Sequence, residues 1–217
     1  CLINLPEMIG DICLYDITNS YSSLYMVHEF EIPEVTDTVI KGYEKVEMKN
    51  GTYLVPLLYP AALKLEKAAF SAMEQGYKLK IYDSYRPNEA TLDIYDRSGK
   101  VMELPIPEKP FTDKVLTDLP VLGEGEILTY RALMTDNDRY ALANFLAKGG
   151  SRHNQGVALD LTLCKNGKDL QMQTSIHDLS WYSESKANNK SAKLLKSIME
   201  GAGFGGLTSE WWHYQDN

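Results

Sequence analysis

Two of the chain's four histidines stand in contexts suited to chemistry. One lies in Ser151-Arg152-His153-Asn154-Gln155-Gly156-Val157-Ala158-Leu159-Asp160, the other in Ser209-Glu210-Trp211-Trp212-His213-Tyr214. A catalytic zinc takes three protein ligands from imidazole nitrogen and carboxylate oxygen and keeps a fourth position open. It also needs a carboxylate close by to take a proton from water. His153, Asp160 and His213 supply such a ligand set, for one zinc per chain, and Glu210 supplies the base. Asp160 is the hardest of these to explain otherwise, because a carboxylate inside an apolar strand must meet a cation or hydrogen-bond donors.

These residues need particular elements to bring them together. Val157, Leu159, Leu161 and Leu163 alternate with Ala158, Asp160, Thr162 and Cys164, the pattern of a strand with one buried face. Asp160 then shares its face with the small Ala158 and Thr162, and Gly156 lets the backbone turn between His153 and that strand. Glu210 and His213 are three apart, so a regular strand would point them to opposite faces. Both reach one ion only if the chain bends at Trp211–Trp212. Tyr77–Asp83 reads as a strand running into Ser84-Tyr85-Arg86-Pro87.

Around this frame the spacing predicts four helices. Residues 60–75 place Ala62, Leu63, Ala69, Phe70 and Met73 at helical spacing before Gly76. Shorter helices are expected over Asn88–Asp96, Asp136–Lys148 and Ser191–Glu200, the last with Leu194, Leu195, Ile198 and Met199 inward. Lys165-Asn166-Gly167-Lys168 carries a hairpin signal leading to a strand near Leu170–Met172, and Trp211–Tyr214 reads as a closing strand. Four prolines between Ser98 and Leu122 mark a long surface excursion. Helices with an antiparallel sheet in a single domain over 1–217 make the expected class α+β.

Composition narrows the partners. The net charge of −8 argues against nucleic acid, which rewards basic surfaces, and no apolar run of membrane-spanning length occurs. Cys1, Cys13 and Cys164 are too few and scattered for a disulfide scaffold or a thiolate zinc cage. Cys1 is what a bacterial lipoprotein presents after processing, and equally what a trimmed chain boundary leaves. Cytoplasm and cell envelope both stay open, as does the oligomeric state.

The patterns S-x-H-x-x-G-x-A-x-D, here Ser151–Asp160, and E-W-W-H, here Glu210–His213, resemble the zinc D-alanyl-D-alanine dipeptidases of the vancomycin-resistance type. That family is related in fold to the hedgehog and lysostaphin-type zinc domains. Asp83-Ser84-Tyr85-Arg86-Pro87 is similar to its D-x-Y-R-P segment, and the resemblance extends over nearly the whole chain. It implies zinc on His153, Asp160 and His213, with Glu210 as base and Arg86 stabilising the charge that develops on the scissile carbonyl. It also matches Ser151 to a substrate-contacting serine.

The implied substrate is a small D,D-dipeptide, and the implied products are two D-alanines. Two departures touch the substrate's amino end. The family's aspartate after M-x-x-x-F is displaced here, where Met172–Ile176 leads to His177-Asp178, so either residue is a candidate for the ammonium. Around Asp16–Tyr25 the expected segment is poorly kept, with Tyr21 standing in for its tyrosine. These departures leave a D,D-carboxypeptidase acting on peptidoglycan stem peptides as the nearest alternative. A non-catalytic domain that binds zinc or cell-wall peptide is the third.

Overall fold

A computed structural model describes residues 1–15, 55–86, 88, 91, 147, 149–176, 183–185 and 188–217. The helices expected over Asn88–Asp96 and Asp136–Lys148 and the excursion from Ser98 to Leu122 lie outside or almost outside these residues.

The described residues form an α+β arrangement. A short strand β1 (Leu2–Asn4) and helix α1 (Leu5–Ile9) lead into β2 (Cys13–Tyr15). Then follow β3 (Pro56–Leu58), α2 (Tyr59–Glu74), β4 (Lys78–Asp83), β5 (Ala158–Lys165) and β6 (Lys168–Asp169). Helix α3 (Lys190–Gly201), β7 (Gly205–Gly206) and β8 (His213–Gln215) complete the set. Strands run in the order β2-β4-β5-β8-β7, β6 pairs with β5, and β1 and β3 make a separate two-stranded sheet. The larger sheet is antiparallel except at one edge, where β2 runs parallel to β4, a pairing absent from the expected all-antiparallel sheet. Residues 13 and 79 meet there, and no local pattern encodes so distant a register.

Strand β5 is buried on both faces, where one buried face was expected. Leu159, Leu161 and Leu163 point into the core beneath α2 and α3, each stabilising the fold by about 1.5–3 kcal/mol. The other face holds Asp160, Thr162 and Cys164, all buried as well.

Helix α2 buries Ala61, Ala62, Leu65, Ala68, Ala69 and Ala72 while Leu63, Phe70 and Met73 stay exposed. The alanine track lets the helix axis approach the sheet closely, so the bulkier members of the expected set fall on the outer side. Helix α3 buries Ala192, Leu195, Ile198 and Met199, with Leu194 packed partly against the core. The Asn189 side chain accepts from the Ala192 amide at 2.9 Å and caps its start. Asn166 and Gly167 both adopt positive φ, 52° and 75°, as a two-residue hairpin turn requires. The return strand β6 follows at once, ahead of the expected Leu170–Met172. No helix among the described residues is long and apolar enough to cross a membrane.

Candidate metal centre

Asp160 and His213 are direct cross-strand partners on β5 and β8, so their side chains share the polar face. The expected closing strand begins at His213 rather than Trp211, because the chain bends through Trp211–Trp212. That bend resolves the three-residue spacing. Glu210 Oε2 comes within 3.9 Å of His213 Nδ1, and both residues are buried.

His153 arrives from the turn before β5. Gly156 has φ 71° and donates its amide to the His153 carbonyl at 3.0 Å. The positive φ favours glycine, and a Cβ there would have to displace a Leu2 methyl at 2.9 Å. The turn is fastened to the segment after β4. Asn154 Nδ2 donates to the Arg86 carbonyl at 2.6 Å and to Thr91 Oγ1 at 3.1 Å, and the Arg86 amide donates to the His153 carbonyl at 3.2 Å.

Three ligand atoms converge. His153 Nε2 lies 3.2 Å from His213 Nδ1 and 3.3 Å from Asp160 Oδ1, and His213 Nδ1 lies 3.2 Å from Asp160 Oδ1. Tetrahedral ligands held about 2.0–2.1 Å from one zinc would be separated by about 3.3 Å, so the triangle fits that ion. The ring protons agree with this. His153 Nδ1 faces the Ser84 carbonyl at 2.7 Å and can only donate to it, which leaves the Nε2 lone pair turned toward Asp160. Burial opposes a charge on His213, but Asp160 and then Glu210 outweigh it and raise its pKa above the ordinary imidazole value. Carboxylates that favour a proton there favour a metal cation too.

The charged groups around the triad are mixed: Asp83, Asp160 and Glu210 are buried carboxylates, and Arg86 is a buried guanidinium.

Asp83 reaches this group through an irregularity in the sheet. The register slips between Ile81 and Asp83, so Ile81 opposes the core residue Leu161 while Asp83 opposes Asp160. Its Oδ2 accepts from Arg86 Nη1 at 3.1 Å and sits 3.9 Å from His153 Nδ1. Arg86 is thereby held beside the triad.

Thus the structure brings together His153, Asp160, His213, Glu210 and Arg86. Ser151 Oγ accepts the Asn154 amide at 3.2 Å, and the Ser151 amide donates to Asn154 Oδ1 at 2.7 Å, which ties Ser151 into the turn. Tyr21, His177 and Asp178 lie outside the described residues. Sequence reasoning gave no role to Asp83, Asn154 or Gln215. Asp83 stood in the Asp83–Pro87 segment, but nothing local marked its place opposite Asp160.

Residues 129–217 match the sequence family described as D-ala-D-ala dipeptidase. A D-alanyl-D-alanine dipeptidase of Enterococcus faecium is 29% identical over 189 residues, covering 82% of this chain and 78% of its own length. The D-alanyl-D-alanine dipeptidase of Escherichia coli K12 is 27% identical over 162 residues, covering 71% of this chain and 63% of its own. Among solved structures, VanYB in complex with D-alanine-D-alanine aligns over 80% of this chain and 76% of its own, with a TM-score of 0.42 and 15% identity.

Proposed function

From the premise that this chain belongs to the D-Ala-D-Ala dipeptidase family of metallopeptidases, we propose that it hydrolyses D-alanyl-D-alanine to two D-alanines with one zinc ion. One observation carries this reading: two imidazole nitrogens and a carboxylate oxygen meet at 3.2–3.3 Å with a buried glutamate beside them. His153, Asp160 and His213 would hold the ion. When present, zinc supplies Lewis-acid polarisation of the scissile carbonyl and a water pKa lowered toward about 7.

The chain's own groups do the rest. Glu210, held near the triad by the Trp211–Trp212 bend, takes the proton as water attacks the carbonyl carbon. It then passes that proton to the leaving amine, so the peptide C–N bond breaks as a neutral amine departs. Arg86, fixed by Asp83, offers N–H donors to the oxygen that gains negative charge. Burial of these groups strengthens each interaction by excluding water.

The test is turnover of D-Ala-D-Ala with and without a chelator, run beside Glu210→Gln. Loss of turnover with the chelator and its return with zinc are expected. Glu210→Gln should keep its zinc and lose roughly 10²–10⁴-fold in rate. A Glu210→Gln protein that turns over normally removes the glutamate from the mechanism. A pentapeptide stem hydrolysed faster than the dipeptide would move the assignment to a D,D-carboxypeptidase.

A further inference from the structure

His213 has a second ring nitrogen, and what it touches decides whether the first can hold a metal. His213 and Gln215 alternate along β8 onto the same face, and Gln215 stands opposite Ala158 on β5, where a single methyl leaves it room. Gln215 Oε1 lies 3.3 Å from His213 Nε2. A glutamine amide can present either its oxygen or its NH₂ to an imidazole, with opposite consequences. Facing oxygen, Nε2 must carry the proton and Nδ1 keeps its lone pair. Facing NH₂, the proton moves to Nδ1 and blocks it as a ligand.

Gln215 presents its oxygen to the histidine, and its Nε2 donates to Asn217 Oδ1 at 2.9 Å on the other side. The backbone beneath is fixed as well. The Asp216 amide donates to the Val157 carbonyl at 2.8 Å, and the Asp216 carboxylate is ion-paired with Lys64 of α2. His153 receives the equivalent service from the Ser84 carbonyl, which has only one way to act. The two histidine ligands are therefore oriented by different devices: one by a backbone group, the other by a side chain that a neighbour must hold.

The geometry points to Gln215 as the positioning residue that selects the metal-binding tautomer of His213, with Asn217 orienting its amide. This rests on the metal assignment above and goes beyond it. Removing such an outer partner typically weakens metal affinity by 10–100-fold.

Two measurements on the full chain test it: zinc affinity by competition with a chromophoric chelator, and melting of the metal-free protein. Gln215→Leu, similar in size but lacking the acceptor, should bind zinc roughly 10–100-fold more weakly. Gln215→Glu, which keeps and strengthens the acceptor, should restore wild-type affinity or better. Asn217→Ala should weaken binding less than Gln215→Leu does, since the amide is released rather than removed.

Wild-type affinity in Gln215→Leu, or equal losses in Gln215→Leu and Gln215→Glu, would overturn the inference. If Gln215→Leu melts well below the wild type, Gln215→Glu alone decides, and a drop in its affinity counts against it. A wild-type chain that binds no zinc would instead overturn the proposed function, so the two failures are distinct.

Discussion

The polar face of β5 carries a carboxylate-centred cluster at each end, and the two are built on opposite principles. At the Asp160 end, two imidazole nitrogens turn toward the carboxylate, and the other nitrogen of one ring, His153 Nδ1, donates to a backbone carbonyl. At the Cys164 end, donors surround one acceptor. Asp169 receives Cys164 Sγ at 2.9 Å, Lys80 Nζ at 3.0 and 3.2 Å, and the Tyr82 hydroxyl. Lys80 also sits 5.0 Å from the centre of the Tyr82 ring. The second cluster closes on itself: its charges and protons are matched by residues of β4, β5 and β6. The first brings three atoms of metal-ligand type together, from His153, Asp160 and His213. The two ends differ in what surrounds the carboxylate: imidazole nitrogens at Asp160, and thiol, ammonium and phenol donors at Asp169.

The comparison is broken most directly by exchanging the central carboxylates for amides. Asp160→Asn removes the anionic ligand and should weaken zinc binding by more than the roughly 10–100-fold seen for outer-shell changes, with turnover lost in parallel. Asp169→Asn should leave zinc affinity and turnover within about twofold, since its cluster shares no ligand with the metal. Chelator competition on both variants reads this out. Equal losses in the two would mean that the face acts as one network.

A smaller effect sharpens the other half. Asp169→Asn replaces an acceptor for three donors with a group that must present an NH₂ to one of them. Hydrogen bonds to a charged group contribute about 1.5–3 kcal/mol, but the Asp169 side chain is 39% exposed and solvent screens it. A loss of about 1 kcal/mol in urea unfolding is expected. No measurable loss would mean that the clasp contributes nothing to the hairpin.

How much of this was legible beforehand follows from what each feature depends on. The Asn166-Gly167 turn was readable because positive φ at two successive positions is a local demand that few residues meet. The triad and Glu210 were readable from residue type and spacing, down to the bend required at Trp211–Trp212. Asp83 and Gln215 were not. Asp83 matters because a one-residue slip sets it opposite Asp160, and Gln215 because it falls opposite Ala158 beside His213. Cross-strand register is a property of the folded sheet, with partners more than 50 positions away in the chain. The burial of β5 on both faces was hidden for a related reason. Alternation reports which residues are polar, not whether polar residues are covered.

The clasp also makes a prediction about acid that the metal centre does not. Burial of Asp169 works against its charge, but donation from Cys164, Tyr82 and Lys80 outweighs it and holds its pKa below the ordinary carboxylate value. A group whose folded pKa is depressed adds stability that is fully present above its unfolded pKa and is lost as pH falls through the folded one. Its contribution should therefore be complete above about pH 5 and fade as the solution is acidified below about pH 4. Comparing metal-free wild type with Asp169→Asn by urea unfolding across that range isolates it, since both carry the same His153, Asp160 and His213. The stability gap should be constant near neutrality and close on acidification. A gap that widens in acid would mean that Asp169 is favoured in its protonated form, and the clasp would then be a neutral hydrogen-bond cluster rather than an anion held by its donors.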